Sequence, residues 1–252
     1  MRERFTRMVR REAEHARAGR RGRIVVKVNG LEDPQMVEEL YRASMAGVEI
    51  DLIVRDICRL RPGIDGLSGT VRVHSIVGRF LEHARIFYFE NAGDPKWYLG
   101  SADWMTRNLD NRVEAVTPVE TVALREQLRF VLEASLADNR RRWEMRSDGS
   151  YEQVTPGEDP VRDIQEILMR ATDAAPDRGH GPGIAVDEDL IEGDLLVEPT
   201  ERSAEPPSPG AHEADTGEWT DDSAPGAESG SDATGSEDGA DSPDRTEEAG
   251  ET

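Results

Sequence analysis

The last fifty residues of the chain contain no Ile, Leu, Val, Phe or Met, and Trp219 is their only aromatic side chain. A segment with so little apolar surface cannot offset the conformational entropy that it would lose on folding. The charge is equally uneven, because residues 176–252 carry 23 acidic and 3 basic side chains, whereas residues 1–175 carry 29 and 28. The sequence therefore predicts a nearly neutral folded body, followed by a disordered acidic tail over residues 175–252.

Several protein classes are excluded by the same sequence. No stretch approaches the ~20 consecutive apolar residues that a membrane-spanning helix needs, and no apolar run follows the first residues as in a secretory signal. The single cysteine, Cys58, cannot form an internal disulfide, which fits a reducing compartment. We expect a cytoplasmic protein without a membrane span and without a nucleic-acid partner.

The body begins with a helix and a strand–helix–strand unit. Residues 1–19 predict a polar helix, and residues 24–28 are a β-branched run typical of a buried strand. Asp33 is placed to cap a second helix, which Gly47 is placed to end in a left-handed conformation. The next strand covers residues 48–54, so the unit predicts a parallel pair of strands with a right-handed crossover.

Shorter elements follow this unit. Strands are predicted at residues 71–73, 84–89, 96–101 and 113–117, and helices at residues 120–140 and 161–170. The second and third of these strands form a hairpin across the turn residues between them. The fold class is therefore α/β, with a mixed sheet flanked by helices. We divide the chain into an N-terminal helix over residues 1–22, a main domain over residues 23–174 and the tail.

Three arginines stand at the end of the strand predicted over residues 48–54. Arg55, Arg59 and Arg61 follow this strand, and the ligands of open α/β sheets bind beyond the carboxyl ends of strands. A guanidinium group suits phosphate oxygens because it can donate two parallel hydrogen bonds. The cluster indicates a phosphate site, although a solvated loop in a chain with 29 arginines is an equally good interpretation.

His83 and Arg85 stand at the start of the predicted strand over residues 84–89. Alternation along a strand would place both side chains on one face. A histidine beside a cation can attack a phosphate, or hydrogen-bond to it, while the cation neutralises the phosphate charge. The alternative is a histidine at the edge of the core that bonds only to a backbone group.

Two further groups are weaker candidates. Ser101, Thr106 and Asn108 could donate hydrogen bonds to phosphoryl oxygens, or could belong to a capped strand-to-helix turn. Glu90 and Asp94, in the hairpin turn, could help to hold Mg²⁺, although carboxylates in such turns are usually solvated.

The order of these residues resembles a known catalytic fold. His83 and Arg85, followed by Gly100, Ser101 and Asp103, resemble the second half of a phospholipase-D-type catalytic fold. More specifically, the chain resembles the last catalytic domain of polyphosphate kinases. The runs that carry this resemblance are residues 53–55, 60–63, 75–83 and 101–110, within a similarity that extends from about residue 10 to residue 172.

Polyphosphate kinases reversibly transfer the γ-phosphate of ATP to inorganic polyphosphate and use Mg²⁺. The resemblance implies that ATP or ADP and polyphosphate are partners of this chain, with Mg²⁺ accompanying ATP. By matched position it implies that Arg55 and His83 contact the ATP phosphates, with His83 as the catalytic residue. Arg61, Arg79 and Arg85 are secondary candidates for phosphate binding, and no residue of the chain is assigned to a metal.

The sequence also departs from the family. The family's phosphohistidine lies in a preceding catalytic domain that these residues do not include, and Asp56 and Arg59 replace small residues after Arg55. We therefore expect half of a kinase site, active with a chain that carries the missing domains or as a homo-oligomer. Two alternatives remain open: a polyphosphate- or nucleotide-binding module without catalysis, and a phospholipase-D-like phosphodiesterase in which each copy of a homodimer supplies His83. The kinase interpretation requires Arg55 and His83 to converge on one cleft at the rim of the sheet.

Overall fold

The computed structural model describes residues 1–173, so the tail predicted over residues 175–252 lies outside the described residues. In residues 1–173 the helices are α1 (Arg2–Arg17), α2 (Pro34–Met45), α3 (Val122–Ala137) and α4 (Ile164–Asp173). The strands are β1 (Arg23–Val28), β2 (Glu49–Val54), β3 (Val71–Ile76), β4 (Ile86–Phe89), β5 (Lys96–Gly100), β6 (Val116–Pro118), β7 (Arg142–Met145) and β8 (Tyr151–Gln153). None of the helices in this part of the chain is both long and apolar enough to cross a membrane.

Within the described residues the strands form one sheet in the order β6-β5-β4-β1-β2-β3-β7-β8. β1 pairs in parallel with β2, and β2 with β3, so the parallel pair predicted from the sequence is confirmed. β4 and β7 are antiparallel to β1 and β3. The carboxyl ends of β1, β2, β3 and β5 therefore lie at the edge where β4 begins. We call this edge the carboxyl rim; the residues that flank it are Asn29, Arg55, Val77, Arg85 and Ser101.

Local chemistry explains where α2 begins and ends. The Asp33 carboxylate accepts a hydrogen bond from the backbone N–H of Met36 at 3.0 Å, and Pro34 occupies the first turn, where its missing N–H leaves no bond unmade. Gly47, just after the helix, has a φ of +93°, a left-handed conformation that costs glycine little. Both ends match the sequence prediction, and they set the turn that brings β2 alongside β1.

Side-chain alternation along the strands builds a core on each face of the sheet. On the face covered by α1 and α2, Phe5 packs on Phe87 with ring centroids 4.6 Å apart, and Trp104 packs on both rings. On the face covered by α3 and α4, Val25 and Ile53 pack with residues of both helices. The central strands are thus buried on both faces, which fixes the points from which the rim loops leave the sheet.

The start of β4 differs from the prediction in a way that affects the candidate site. The strand begins at Ile86 and not at Ala84. His83 and Arg85 therefore lie in the preceding loop, and strand alternation does not decide which way they face. The reason is that this loop is held by side-chain contacts to other elements and not by a strand ladder.

The outer elements differ more from the prediction. β3 is longer than the predicted residues 71–73, and β6 and α4 each start three residues later than predicted. β7 and β8 are not predicted at all, because runs of four and three residues are too short to show a clear alternating pattern. α3 is confirmed, but Val122, predicted on its apolar side, is 70% exposed because the helix begins beyond the core.

Candidate active site

Arg55 is the first residue after β2 at the carboxyl rim. Its backbone N–H donates to the carbonyl oxygen of Val28 at 3.2 Å, and its own carbonyl oxygen accepts from Ser75 Oγ at 3.3 Å, so neighbouring strands hold its backbone on both sides. The half-buried guanidinium group donates from Nη1 to the carbonyl oxygen of Glu82 at 3.1 Å. No carboxylate of the described residues pairs with Arg55, so its charge stays available for an anionic ligand.

His83 lies in the loop between β3 and β4 and is exposed. Arg85 donates a hydrogen bond from Nη1 to His83 Nδ1, and a second to the His83 carbonyl oxygen at 3.1 Å. A guanidinium group has no acceptor, so Nδ1 must accept, and the neutral imidazole then carries its proton on Nε2. Nε2–H is therefore the hydrogen-bond donor that His83 can offer to a ligand.

Arg85 is itself held by Asp103, in the turn after β5. Its Nε and Nη2 atoms donate to the two carboxylate oxygens at 3.2 and 3.1 Å, a bidentate pair that lies largely out of solvent. The buried Asp103 also accepts from the backbone N–H of Asn29 at 2.7 Å, so the end of β1, the loop before β4 and the turn after β5 meet at this carboxylate. Arg85 thus links Asp103 to His83, and its charge is already neutralised.

Arg55 and His83 come together through Glu82. The carbonyl oxygen of Glu82 accepts from Arg55, and His83 is the next residue in the chain. Both residues therefore lie at the same rim, and the convergence of their side chains on one cleft stays a prediction. They arrive on loops that follow two neighbouring parallel strands, β2 and β3, which is the usual location of a ligand site in an open α/β sheet.

The other predicted phosphate contacts lie in different surroundings. Arg79 is exposed in the same loop as His83, with its guanidinium carbon 5.0 Å from the centroid of the Phe80 ring. Arg61 lies against the turn between β7 and β8, where a Cβ atom on Gly149 would collide with its guanidinium group. Arg79 thus belongs to the loop that carries His83, whereas no contact within the described residues joins Arg61 to that loop.

Asp56 and Arg59, which stand where the resemblance implies small residues, do not neutralise Arg55. Asp56 is exposed and forms no ion pair with any other residue of the described part. Arg59 pairs with Glu32 at 3.6 Å, on the loop that follows β1. Neither residue therefore pairs with Arg55 or competes with it for a carboxylate.

The polar groups after β5 already have partners within the protein. Ser101 donates from Oγ to Glu114, and Asn108 donates from Nδ2 to the other oxygen of the same carboxylate at 2.7 Å. Thr106 donates from Oγ1 to Asp33, the residue that caps α2, at 3.3 Å. These contacts favour the capped turn over the phosphate site, since each of the three side chains donates to a carboxylate.

Glu90 and Asp94 lie at the opposite end of the sheet. The backbone N–H of Glu90 donates to the carbonyl oxygen of Arg23, the first residue of β1, at 3.0 Å. Asp94 pairs with Lys96 at 2.5 Å, at the start of β5. The two carboxylates are therefore separated from the carboxyl rim by the length of β1, and this position is incompatible with a Mg²⁺ role beside the rim residues.

Lys27 and Glu82 belong to the rim but are not identified by the sequence analysis. Lys27 Nζ lies 2.9 Å from Glu82 Oε2, and the lysine side chain is only 3% exposed. A buried ammonium group needs a counter-charge, so the lysine within the apolar run of β1 is a signal that an acidic partner lies elsewhere. Sequence position alone does not reveal which carboxylate that is.

The model of the family described as polyphosphate kinase C-terminal domain 2 matches residues 1–165, a span that contains the rim residues described above. The chain belongs to this family. A polyphosphate kinase from Thermosynechococcus vestitus is 53% identical over 174 residues, which cover 68% of this chain and 24% of the relative. A polyphosphate kinase from Synechocystis sp. is 56% identical over 171 residues, covering 68% of this chain and 24% of the relative. The crystal structure of the Porphyromonas gingivalis polyphosphate kinase matches with a TM-score of 0.65 at 40% identity, covering 68% of this chain and 26% of that one.

The chain spans about a quarter of the length of the curated polyphosphate kinases that it matches. The predicted family and the α/β fold, with a mixed sheet flanked by helices, are confirmed. A phospholipase D family member from Salmonella typhimurium also aligns, at 13% identity and a TM-score of 0.39, a likeness too low to bear on function. Arg55, His83 and Asp103 all lie inside the matched polyphosphate kinase domain.

Proposed function

We propose that this chain is the C-terminal catalytic half of a polyphosphate kinase, which reversibly transfers the γ-phosphate of ATP to inorganic polyphosphate. The observation that carries the proposal is that Arg55, whose charge no described carboxylate neutralises, donates to the carbonyl oxygen of Glu82, the residue before His83, at one rim of the family domain. Arg55 and His83 can both donate hydrogen bonds to phosphoryl oxygens. A cytoplasmic location, where ATP is available, belongs to the same proposal.

Phosphoryl transfer needs little covalent chemistry from a protein and depends on positioning and on cations around the developing charge. In the proposed reaction Arg55 clamps a terminal phosphoryl group, while His83 donates from Nε2 to one of its oxygens. Because Nε2 holds the proton in this arrangement, it has no free lone pair with which to attack phosphorus. His83 therefore stabilises the transferred group, and phosphohistidine formation is left to the preceding domain of the family.

The remaining arginines have distinct proposed roles. Arg85 acts through His83, because Asp103 neutralises its charge and its Nη1 atom is directed to the imidazole. Arg79, exposed in the same loop, is a secondary contact for phosphate. Arg61 contacts units of the polymer away from the reacting group, since polyphosphate is long and Arg61 lies beside the turn between β7 and β8.

The proposed transfer also uses residues beyond this chain, which spans about a quarter of its relatives. We propose that they come from a longer polypeptide, from a complementary chain or from a homo-oligomer. In each case the preceding domain of the family would face the carboxyl rim, because Arg55 and His83 are presented there.

Mg²⁺ accompanies ATP in the proposed reaction, but the described residues do not fit a resident site for the ion. In residues 1–173 no group of three or more His, Cys, Asp or Glu side chains is arranged to hold a metal. Two carboxylates of the rim are already engaged, Glu82 with Lys27 and Asp103 with Arg85. We therefore assign no metal ligand among residues 1–173 and no step to the ion.

Ligand binding is the first test of the proposal. We expect the full chain to bind inorganic polyphosphate, and Arg55→Ala to weaken binding about tenfold or more, because a charge-assisted contact to phosphate is lost. Arg4→Ala is the matched control, since Arg4 is exposed on α1 and has no carboxylate partner among the described residues. Titration of labelled polyphosphate at fixed salt measures the affinity of the wild type, Arg55→Ala and Arg4→Ala. Equal binding by the wild type and Arg55→Ala would contradict the proposal.

Catalysis is tested by supplying the rest of the enzyme in trans. The Thermosynechococcus vestitus polyphosphate kinase is truncated before the region that this chain matches, the two proteins are mixed, and ATP-dependent synthesis of polyphosphate is measured. We expect synthesis that falls about a hundredfold or more with His83→Ala, because a hydrogen-bond donor to the transferred group is removed. Synthesis that does not depend on His83 would exclude its proposed role.

The two alternatives are separated by the same experiments. Binding that depends on Arg55, without synthesis in the mixture, would favour the binding module without catalysis. The phosphodiesterase is less compatible with the structure, because Arg85, which stands where that fold usually has lysine, is neutralised by Asp103. Hydrolysis of a phosphodiester by a confirmed homodimer of this chain would favour the phosphodiesterase alternative over the kinase.

A further inference from the structure

Lys27 is a buried cation at the end of β1, on the face of the sheet covered by α3 and α4. Its side chain is 3% exposed, and its hydrogen-bond partner within the described residues is Glu82, at 2.9 Å from Nζ to Oε2. The residues opposite Lys27 on the neighbouring strands are Ile53 and Ile86, which offer no compensating charge. Burial of an ammonium group is strongly unfavourable without a counter-charge. Lys27 therefore requires Glu82, and with it the loop between β3 and β4, to be in place.

Glu82 joins three elements at one residue. Its Oε2 atom accepts from Lys27 on β1, and its Oε1 atom accepts from Gln165 Nε2 on α4 at 2.8 Å. Its backbone carbonyl oxygen accepts from Arg55 after β2. Since His83 is the next residue, the bond from Arg55 to the Glu82 carbonyl also positions the backbone of His83 relative to Arg55.

Gln165 holds the same loop through its side-chain amide. Nε2 donates to the carbonyl oxygen of Phe80 at 2.8 Å, and Oε1 accepts from the backbone N–H of Phe80 at 3.0 Å. The Gln165 amide lies so close to the backbone of Gly78 that a Cβ atom on Gly78 would be 2.5 Å from Gln165 Oε1. The backbone N–H of Gln165 donates to Asp163 at 3.1 Å, which anchors the start of α4. The loop is thus tied to α4 as well as to β1.

We propose that Lys27, Glu82 and Gln165 form a latch that positions Arg55 and His83 for a phosphate ligand. The proposal rests on the proposed function, in which Arg55 and His83 are the phosphate contacts. The three latch residues are positioning residues, because they act on the ligand only through the loop. If the loop undocks, Lys27 loses its counter-charge. Docking of the loop and burial of the Lys27 side chain are therefore coupled.

Charge removal from each side of the pair tests the latch. Lys27→Met and Glu82→Gln each leave one charge without its partner, so we expect the loop to undock in both. The double variant carries neither charge, and its glutamine can still bond to Gln165, so we expect the loop to dock again. Lys96→Met is the matched control, because it removes the chain's other lysine from a more exposed pair with Asp94 at the opposite end of the sheet.

Two measurements on the full chain report on the loop without reference to catalysis. Amide hydrogen exchange of residues 79–83 is expected to accelerate about tenfold or more in each single variant. The imidazole NMR signals of His83, assigned with His83→Ala, are expected to move in the same two proteins. Polyphosphate affinity is expected to fall about tenfold in the single variants and to stay within about twofold of wild type in the double variant and the control.

Unchanged exchange and unchanged His83 signals in both single variants would overturn the latch, as would a double variant perturbed as strongly as the single ones. If the wild-type chain does not bind polyphosphate, the proposed function fails, and the exchange and NMR comparisons still decide whether the latch exists. If Lys27→Met does not fold, Gln165→Leu replaces it, since leucine keeps the apolar volume and loses the amide. Wild-type exchange of residues 79–83 in that variant would also overturn the proposal.

Discussion

At the scale of single residues, Asp103 decides what two other side chains at the carboxyl rim can do. By pairing with Arg85 it neutralises a guanidinium group that would otherwise compete for phosphate. By fixing Arg85 it also makes His83 Nδ1 a hydrogen-bond acceptor, which leaves the proton on Nε2. The chemistry of the histidine is therefore set by a carboxylate that does not contact it.

Glu12, on α1, leads to a prediction about the pH dependence of stability. Its carboxylate accepts from the backbone N–H groups of Asn91 at 2.7 Å and Arg23 at 3.2 Å, and burial raises its pKa to about 7. A carboxyl group with a raised pKa in the folded state stabilises the fold below its ordinary pKa, and this contribution is lost as the pH rises through about 7. We expect Glu12 to lower the free energy of unfolding by about 1–3 kcal/mol between about pH 5 and about pH 8.

Urea unfolding of the wild type and of Glu12→Gln at several pH values measures this effect. The variant is expected to lack the decrease, whereas Glu14→Gln, at an exposed position of the same helix, keeps it. Asp51 does not interfere: burial alone would raise its pKa, but the hydrogen bond from His74 and the charge of Arg23 hold it below the ordinary range. The contribution of Asp51 to stability is present above the ordinary pKa of an aspartate and is lost only in strong acid. Identical pH profiles for the wild type and Glu12→Gln would contradict the prediction.

At the scale of elements, α4 reaches the carboxyl rim through the loop between β3 and β4. The helix packs with α3 on one face of the sheet, and Gln165 in its first turn bonds to Phe80 and Glu82 of the loop. Gly78 makes this approach possible because it has no side chain to meet the amide. The contact between helix and loop thus depends on the absence of a single carbon atom.

Gly78→Ala is expected to lower the free energy of unfolding by about 1–3 kcal/mol, because the new methyl group would overpack this contact. Its Cβ atom would lie 2.5–2.8 Å from the side-chain amide of Gln165, which cannot move without breaking its bonds to Phe80 and Glu82. Gly69→Ala is the matched control, since Gly69 has open space around it and neither glycine has a positive φ. Urea unfolding compares the two variants, and an equal change in both would show that the contact is not tight.

At the scale of the whole molecule, charge is divided between two parts of the chain. Residues 1–175 are nearly neutral overall, and their carboxyl rim presents Arg55, with which no carboxylate of residues 1–173 pairs. Residues 176–252 carry 23 acidic and 3 basic side chains. Because of this charge, residues 176–252 repel a polyanion over a distance that salt shortens, from about 10 Å at 0.1 M to about 3 Å at 1 M.

A chain that ends at residue 174 is therefore expected to bind polyphosphate more tightly than the full chain at low salt. The difference shrinks as salt is added, because screening removes the repulsion of the acidic residues before it removes the direct contact with Arg55. Titrations of both chains over a series of salt concentrations measure the effect, with urea unfolding as a check on the shorter chain. Tighter binding by the full chain at low salt would mean that residues 176–252 recruit the ligand.

Short-range signals in the sequence determined much of this protein. The β-branched run of β1, the Asp33 cap and the turn at Gly47 predict the parallel unit correctly, because each signal acts within a few residues of its effect. Position at the end of a strand places Arg55 at the rim, and the resemblance of long motifs indicates the family before any fold is known.

Only the tertiary structure decided which charges are free and which are neutralised. Glu82 is 55 positions from Lys27 and 83 from Gln165, and the pairing of Arg85 with Asp103 depends on a loop and a turn from different strands. Hydrophobic periodicity and helix-capping residues contain no information about which distant charged groups will pair. A buried charge takes as its partner the group that packing brings within bonding distance, and packing is a property of the whole fold.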